Sequence, residues 1–410
     1  MKRSASILVL TNGPLARNPR VVKEASALAA AGHRVTVLGV RNHRPSVALD
    51  AEIIAEAAFR HEQIDLLDGP RAWLRRAAVR LARDCASRGG LATIHALGPA
   101  SALLRRARAI PADLVIVHNE IAHWAGLRMI AAGRRVAADI EDWHSEDLLP
   151  EHRVGRPLSS LRRVERALLH RAAYVSTTSH ALAEGLHARY GGRRPAVITN
   201  SFSLPPAPRS AAGEPPSFFW FSQTTGPGRG LEAFATAWAG TSSASRLVLL
   251  GQIAGDFDRR ILGLLPESRR RDVEFLPPVP PAALPGLIAR HDIGLALEQP
   301  DIVNRDLTIT NKILQYLGGG LSIVATPTAG QREVMANAPE AGVLESFADP
   351  VAAAGVLDAL LADRNALAAR RAAARRLAES RYCWEQEAPN LVLLAEQALS
   401  RPWPGTQFES

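Results

Sequence analysis

Three stretches of the chain place reactive residue types at spacings that suit an anionic, hydroxyl-rich ligand. Residues 222–230 read Ser-Gln-Thr-Thr-Gly-Pro-Gly-Arg-Gly, between an apolar run and a helical one. A glycine-rich turn at a helix start offers unpaired backbone N–H groups and the positive end of the helix dipole, a pairing that suits phosphate. Gly228 lets backbone approach the ligand, and Arg229 adds a planar cationic fork. Residues 304–320 read Asn-Arg-Asp-Leu-Thr-Ile-Thr-Asn-Lys-Ile-Leu-Gln-Tyr-Leu-Gly-Gly-Gly. A helix is expected to start near Thr310, with Thr308, Thr310 and Asn311 as capping or phosphate-facing groups. Lys312 then falls in the first turn, where the helix dipole disfavours a cation and a bound diphosphate would favour one. Lys312 and Gln315 share a helix face at i, i+3. Glu298, which ends the preceding apolar run, could meet the same ligand or be an ordinary strand-end charge.

The third stretch, residues 139–147, carries five carboxylates around Trp143 and His144. Such density after a strand suits ligand hydroxyls or an acid–base group, with Asp142 and His144 as polar partners and Trp143 as either a stacking surface or a buried side chain. The ligand types match no recognisable metal scheme, so no metal is expected. Asp256-Phe-Asp258 sits between a strand and a helix and reads as an N-cap rather than a metal–nucleotide motif. Closer to the start, Gly13 would let backbone approach a ligand, Arg20 could meet an acceptor, and His118 ends a buried-type strand.

Elements that could position these groups alternate along the chain. Short runs at 6–10, 34–39, 112–118, 135–140, 174–178 and 196–200 are separated by segments of helical period. A second alternation has strands at 218–221, 246–251, 273–276, 293–297, 321–325 and 342–344, and residues 351–400 are almost wholly helical. Strands alternating with helices imply a parallel sheet covered on both faces. The fold expected is α/β, with two Rossmann-like doubly wound halves facing across a cleft. Residues 1–202 form the first, a Pro-, Gly- and Ser-rich linker spans 203–216, and the second covers 217–384. The end, 385–410, is a helix and tail expected to pack back on the first half.

At 410 residues and 47% apolar, the chain has ordinary globular composition, which excludes a disordered or fibrous protein. Two cysteines cannot build a disulfide framework or a cysteine zinc site. No apolar run approaches the roughly 20 residues of a membrane span. A cytoplasmic protein is expected, with the arginine-rich segments 71–83 and 105–108 able to rest on the anionic inner face of a membrane. The net charge of +9 suits anionic partners; with no reader motif, nucleic acid is not among them.

Several segments, in this order and spacing, resemble the GT-B glycosyltransferases of family 4 (glycosyl transferases group 1). They are Arg20-Val-Val-Lys-Glu-Ala with the Gly32-His33-Arg-Val-Thr-Val run, Val197-Ile-Thr-Asn200, residues 221–232, residues 308–326 and Arg381-Tyr-Cys-Trp-Glu385. The resemblance spans nearly the whole chain. It implies retaining transfer of a sugar from a nucleoside-diphosphate-sugar donor, without a metal or other cofactor, to a glycan or lipid-linked acceptor in bacterial surface polysaccharide biosynthesis. It implies that Arg229 grips the donor diphosphate and that His118 lies near the reacting sugar, so that with Lys312 these carry the catalytic role. Family members usually have two glutamates around the helix before the fifth strand of the second half. Here the second falls at Gln315 and the first has no carboxylate, near Leu307. A sugar-nucleotide epimerase of the same fold and a non-catalytic nucleotide-sugar-binding protein are the alternatives.

Overall fold

A computed structural model describes residues 4–206 and 215–403. It divides the chain into two compact units, one comprising residues up to Ile198 and from Ala388 on, the other Thr199–Glu387. Of the expected linker, residues 207–214 lie outside the described residues.

The first unit is built on a seven-stranded parallel sheet. Its strands are β1 (Ser6–Leu10), β2 (Arg34–Arg41), β3 (Arg60–Asp65), β4 (Leu114–His118), β5 (Val136–Ile140), β6 (Val175–Thr177) and β7 (Ala196–Val197). They lie in the order β3-β2-β1-β4-β5-β6-β7. β4 and β5 are buried at every residue because helices cover both faces. Leu8, Leu10, Val115 and Val117 join the helices Ala100–Ala109 and Glu120–Ile130 in one core. Alternation leaves Ile7, Val9, Leu114 and Ile116 for the opposite face. The C-terminal segment is tied to this unit: Arg135 donates to the carbonyl of Leu399 (3.0 Å) and Trp403 Nε1 to that of Gly133 (3.2 Å).

The second unit repeats the plan with six strands, β8 (Ser217–Thr225), β9 (Arg246–Ile253), β10 (Val273–Leu276), β11 (Ile293–Ala296), β12 (Ser322–Ala325) and β13 (Gly342–Leu344). Their order is β10-β9-β8-β11-β12-β13. In both sheets the order reverses once, between β1 and β4 and between β8 and β11. Open α/β sheets bind ligands at the carboxyl ends of strands flanking such a reversal.

One strand was not apparent in the sequence. β3 reads Arg-His-Glu-Gln-Ile-Asp and pairs only with β2, so as an edge strand it needs little apolar surface.

Candidate active site

In the second unit the reversal point collects most of the expected ligand-binding groups. The β8–β9 pairing slips between Phe221 and Thr224. Such a bulge re-aims side chains, and Ser222 and Gln223 here line a cavity of about 500 Å³. Both belong to the stretch 222–230, though neither was expected to be a ligand group. The chain then turns through residues 226–230 into the helix Leu231–Ala239. Gly230 has φ 74°, and a Cβ there would lie 2.6 Å from both the Leu297 carbonyl oxygen and Gln299 Nε2. Only glycine lets this turn press against the end of β11.

The helix Asn311–Gly319 forms another wall. Thr310 is its N-cap, its hydroxyl accepting from the Lys312 N–H at 3.4 Å. The Tyr316 ring occupies the space a side chain at Gly294 would take, and its hydroxyl donates to the Leu295 carbonyl at 3.2 Å. Helix and β11 are thereby fixed to each other, which sets Lys312 against Glu298. The Lys312 ammonium donates to Glu298 Oε1 at 2.6 Å and stands 5.6 Å from the centroid of Trp220. The Thr310 hydroxyl donates to the same oxygen at 3.3 Å, and Arg305 Nε lies 4.0 Å from the other. Burial pushes the Glu298 carboxyl up, but the charges of Lys312, Arg305 and Arg229 outweigh it and hold the group below its ordinary range.

This pairing revises one expectation. Lys312 opposes the helix dipole, yet a carboxylate of the same chain already accounts for it. Glu298, Thr310, Asn311, Lys312 and Gln315 share the cavity wall, with Leu250, Pro278 and Val279 as its apolar part. Arg229 is half-buried and acts on Glu298 through its charge. Three expected groups, Arg229, Gly228 and Thr308, are not in this lining. Gly228 is exposed, and Thr308 donates back to the Asn304 carbonyl at 2.8 Å. The position lacking a carboxylate, Leu307, ends the short helix Val303–Leu307. Neighbouring Asp306 does not substitute, because it accepts from the Ala329 N–H (3.0 Å) at the start of another helix. Asp256 precedes the helix Phe257–Gly263 but makes no side-chain cap bond.

In the first unit the ends of β1 and β4 meet through side chains. The Thr11 hydroxyl donates to Asn119 Oδ1 at 2.9 Å, and Asn12 Nδ2 donates to Glu120 Oε2 at 2.7 Å. Asn119 sits at φ 66°, a backbone state that non-glycine residues hold at a cost and that clusters at functional sites. Arg156 bonds Asp147 (2.8 Å) and the carbonyl of His144 (2.9 Å), and its Nη2 lies 3.4 Å from Glu120.

Three expected site residues are enclosed instead of presented. Arg20 is 1% exposed and makes a two-bond clamp on Asp139, at 2.9 and 2.6 Å. Its acceptor-binding role gives way to a packing one, since the fork is filled by a carboxylate of the same unit. His118, also 1% exposed, bonds Glu24 at 2.5 Å. Burial pushes its pKa down, but Glu24 and Asp139 reverse this and raise it. Its strand position turns the ring inward, and Asn119 and Glu120 beyond it carry the polar contacts. Trp143 is buried edge-to-face against Tyr190, which leaves no open ring face for a sugar. Gly13 is buried, and a Cβ there would meet Asn18 Nδ2 at 2.9 Å, so packing explains this glycine. Asp142 is exposed.

The other acids of residues 139–147 are mostly matched by arginines. Glu146 pairs with Arg153 (3.3 Å) and Arg162 (2.8 Å), and Asp147 with Arg156. Burial first, then the Asp142 charge, pushes Glu141 up to about 7. Burial lowers the His144 pKa, but Glu120, Asp147 and Asp142 more than reverse it, to about 9. A histidine whose folded value exceeds its ordinary 6.5 stabilises fully below that pH, and the gain is lost as pH rises through the folded value. Stability of the first unit is therefore expected to fall between pH 6.5 and about 9. The loss is roughly 3 kcal/mol at most. Melting curves of wild type and His144→Gln across that range check this, the variant giving the flatter profile.

Comparison with known proteins adds independent findings. A family model described as a glycosyl transferase 4-like domain matches residues 18–201, and one described as glycosyl transferase-like matches residues 238–392. Among solved structures, Anabaena HepE in complex with UDP and glucose is 16% identical with a TM-score of 0.69, over 95% of this chain and 99% of that one. Sucrose-phosphate synthase from Thermosynechococcus elongatus is 18% identical with a TM-score of 0.70, over 96% and 99%. WaaG, a glycosyltransferase involved in lipopolysaccharide biosynthesis, is 15% identical with a TM-score of 0.60, over 97% and 100%. At such identities these structures speak for the fold. No curated protein matches the sequence.

Proposed function

Because the chain belongs to the GT-B glycosyltransferases of the family 4, group 1 kind, we propose that it transfers a sugar from a nucleoside-diphosphate sugar to a glycan or lipid-linked acceptor in bacterial surface polysaccharide biosynthesis, with retention of configuration. The observation that carries the donor class is the cavity of the second unit. Its apolar wall of Leu250, Pro278 and Val279 suits a nucleoside, and Lys312 stands at its polar side with Asn311 and Gln315. HepE structures with UDP and with UDP-glucose support a uridine nucleotide as the first donor to try. The role of WaaG supports a polysaccharide acceptor.

In the proposed reaction the bond from the anomeric carbon to the diphosphate oxygen breaks, and the acceptor hydroxyl oxygen bonds to that carbon. Negative charge gathers on the departing phosphate, where Lys312, Arg229 and helix-start N–H groups stabilise it. With retention, the departing phosphate oxygen takes the acceptor proton on the same face, and no enzyme base is required. Asn12 and Glu120 offer a donor and a carboxylate to acceptor hydroxyls at the reversal point of the first unit.

A thermal-shift screen of nucleotide sugars tests the donor class. A true donor at a hundredfold its Kd stabilises by about 2.7 kcal/mol. That raises the melting temperature by several degrees (about 2–4 °C per kcal/mol at this unit size). If no nucleotide sugar shifts the transition, or if Lys312→Ala shifts as far as wild type, the reading fails.

A further inference from the structure

We propose that Asn200 is a positioning residue of the donor site: it turns the Asn311 amide so that N–H groups, and not the oxygen, meet the diphosphate. This rests on the donor reading and adds to it a residue outside the cavity lining.

A primary amide has two ends of opposite polarity, an oxygen that accepts and an NH2 that donates. An ionised diphosphate offers only acceptors. An N–H aimed at it makes a charge-assisted bond, whereas an amide oxygen aimed at it is repelled. Asn311 opens the helix Asn311–Gly319, next to Lys312, and its exposed side chain lines the cavity. Nothing in the helix backbone selects which end of that amide faces the ligand. The selection comes from 111 residues away, where Asn200 Nδ2 donates to Asn311 Oδ1 at 3.1 Å. With its oxygen engaged, Asn311 keeps its NH2 for the cavity.

Asn200 can impose this orientation because it is itself held. It is 4% exposed and lies between Thr199 and Ser201, both buried. The Thr199 N–H and hydroxyl donate to Glu387 Oε1 at 3.2 and 2.6 Å. That uses the one hydroxyl proton of Thr199, so the 2.6 Å contact between the two hydroxyls is a donation from Ser201. Thr199 and Glu387 are the first and last residues of the second unit, and the Trp384 N–H adds a bond to the Phe202 carbonyl at 3.0 Å. A buried amide on a backbone fixed from both sides has little room to turn, so the exposed amide conforms to it.

Asn200→Asp inverts the arrangement. An ionised carboxylate only accepts, so Asn311 must give it the NH2 and turn its oxygen to the cavity. Calorimetric titration of the full chain with UDP and with uridine tests this. UDP should bind N200D about tenfold or more weakly than wild type, and uridine, which has no phosphate, within about twofold. The new charge also acts on UDP directly, so the same change is made on Asn311→Ala, where it should cost less than about twofold. If N200D fails to fold, N200A, which adds no charge, is judged by the same comparisons, with an expected loss for UDP of about threefold. The proposal is overturned if UDP binds the Asn200 variant as it binds wild type, or if the loss is as large without the Asn311 side chain. It is equally overturned if uridine loses as much as UDP, since Asn200 would then only maintain the shape of the cavity. A wild type that binds none of UDP, GDP, ADP, CDP and dTDP sinks the donor reading first, and this proposal with it.

Discussion

Lys312→Ala lowers the rate of nucleoside-diphosphate release by about 10²–10³-fold, the loss typical of removing one well-placed group that stabilises charge forming in the transition state. The ammonium is held within 2.6 Å of Glu298 by a helix that Tyr316 pins to β11, so no other side chain of that helix can take its place. The substitution also leaves Glu298 short of its closest cation in a largely buried setting, which destabilises the second unit. The double variant Lys312→Ala/Glu298→Gln separates the two effects. Its melting temperature should recover toward wild type, and its turnover should stay low. Recovery of both would mean that Lys312 serves only to neutralise Glu298, and the catalytic assignment would fall.

Asp139→Ala should be the most destabilising single change in the first unit. It strips the two-bond partner from a guanidinium that is 1% exposed and removes the acceptor for Ser176 Oγ at 2.6 Å. Breaking a buried ion pair from one side costs about 3–5 kcal/mol. At the size of this unit that lowers its melting transition by about 10–15 °C. Replacing both partners, Arg20→Met with Asp139→Leu, removes the uncompensated charge and should restore most of the loss. Differential scanning calorimetry of the two variants beside wild type checks both statements. A single variant that melts within a degree or two of wild type would show that water reaches Arg20.

The sheets were largely legible from sequence because both faces are covered, so most strands are short runs of Val, Ile, Leu and Phe bounded by polar loops. β3 escaped because an edge strand can be polar. At the site, local logic worked where the neighbour was local: Thr310 capping the helix of Lys312 follows from three consecutive residues. It failed where the partner was remote. Arg20 and Asp139 are 119 residues apart, and His118 and Glu24 are 94 apart; no spacing rule joins them. The acidic run 139–147 suggested ligand chemistry because its neutralising arginines arrive only at Arg153, Arg156 and Arg162. Ser222 and Gln223 emerge as cavity-lining groups only through a register slip in the sheet, which the alternation of residues does not encode.

The contact between Lys312 and Glu298 means that the second unit supplies this lysine with an anion of its own. Under the proposed donor reading, arrival of a diphosphate is an exchange of one anion for another rather than the filling of a bare cationic socket. Departure of the product then returns the lysine to the glutamate, so no point in the cycle leaves that ammonium without a counter-charge. An oxyanion competitor must be good enough to displace a tethered carboxylate, which screens out simple monovalent ions and leaves the position to ligands that can offer several phosphate oxygens at once.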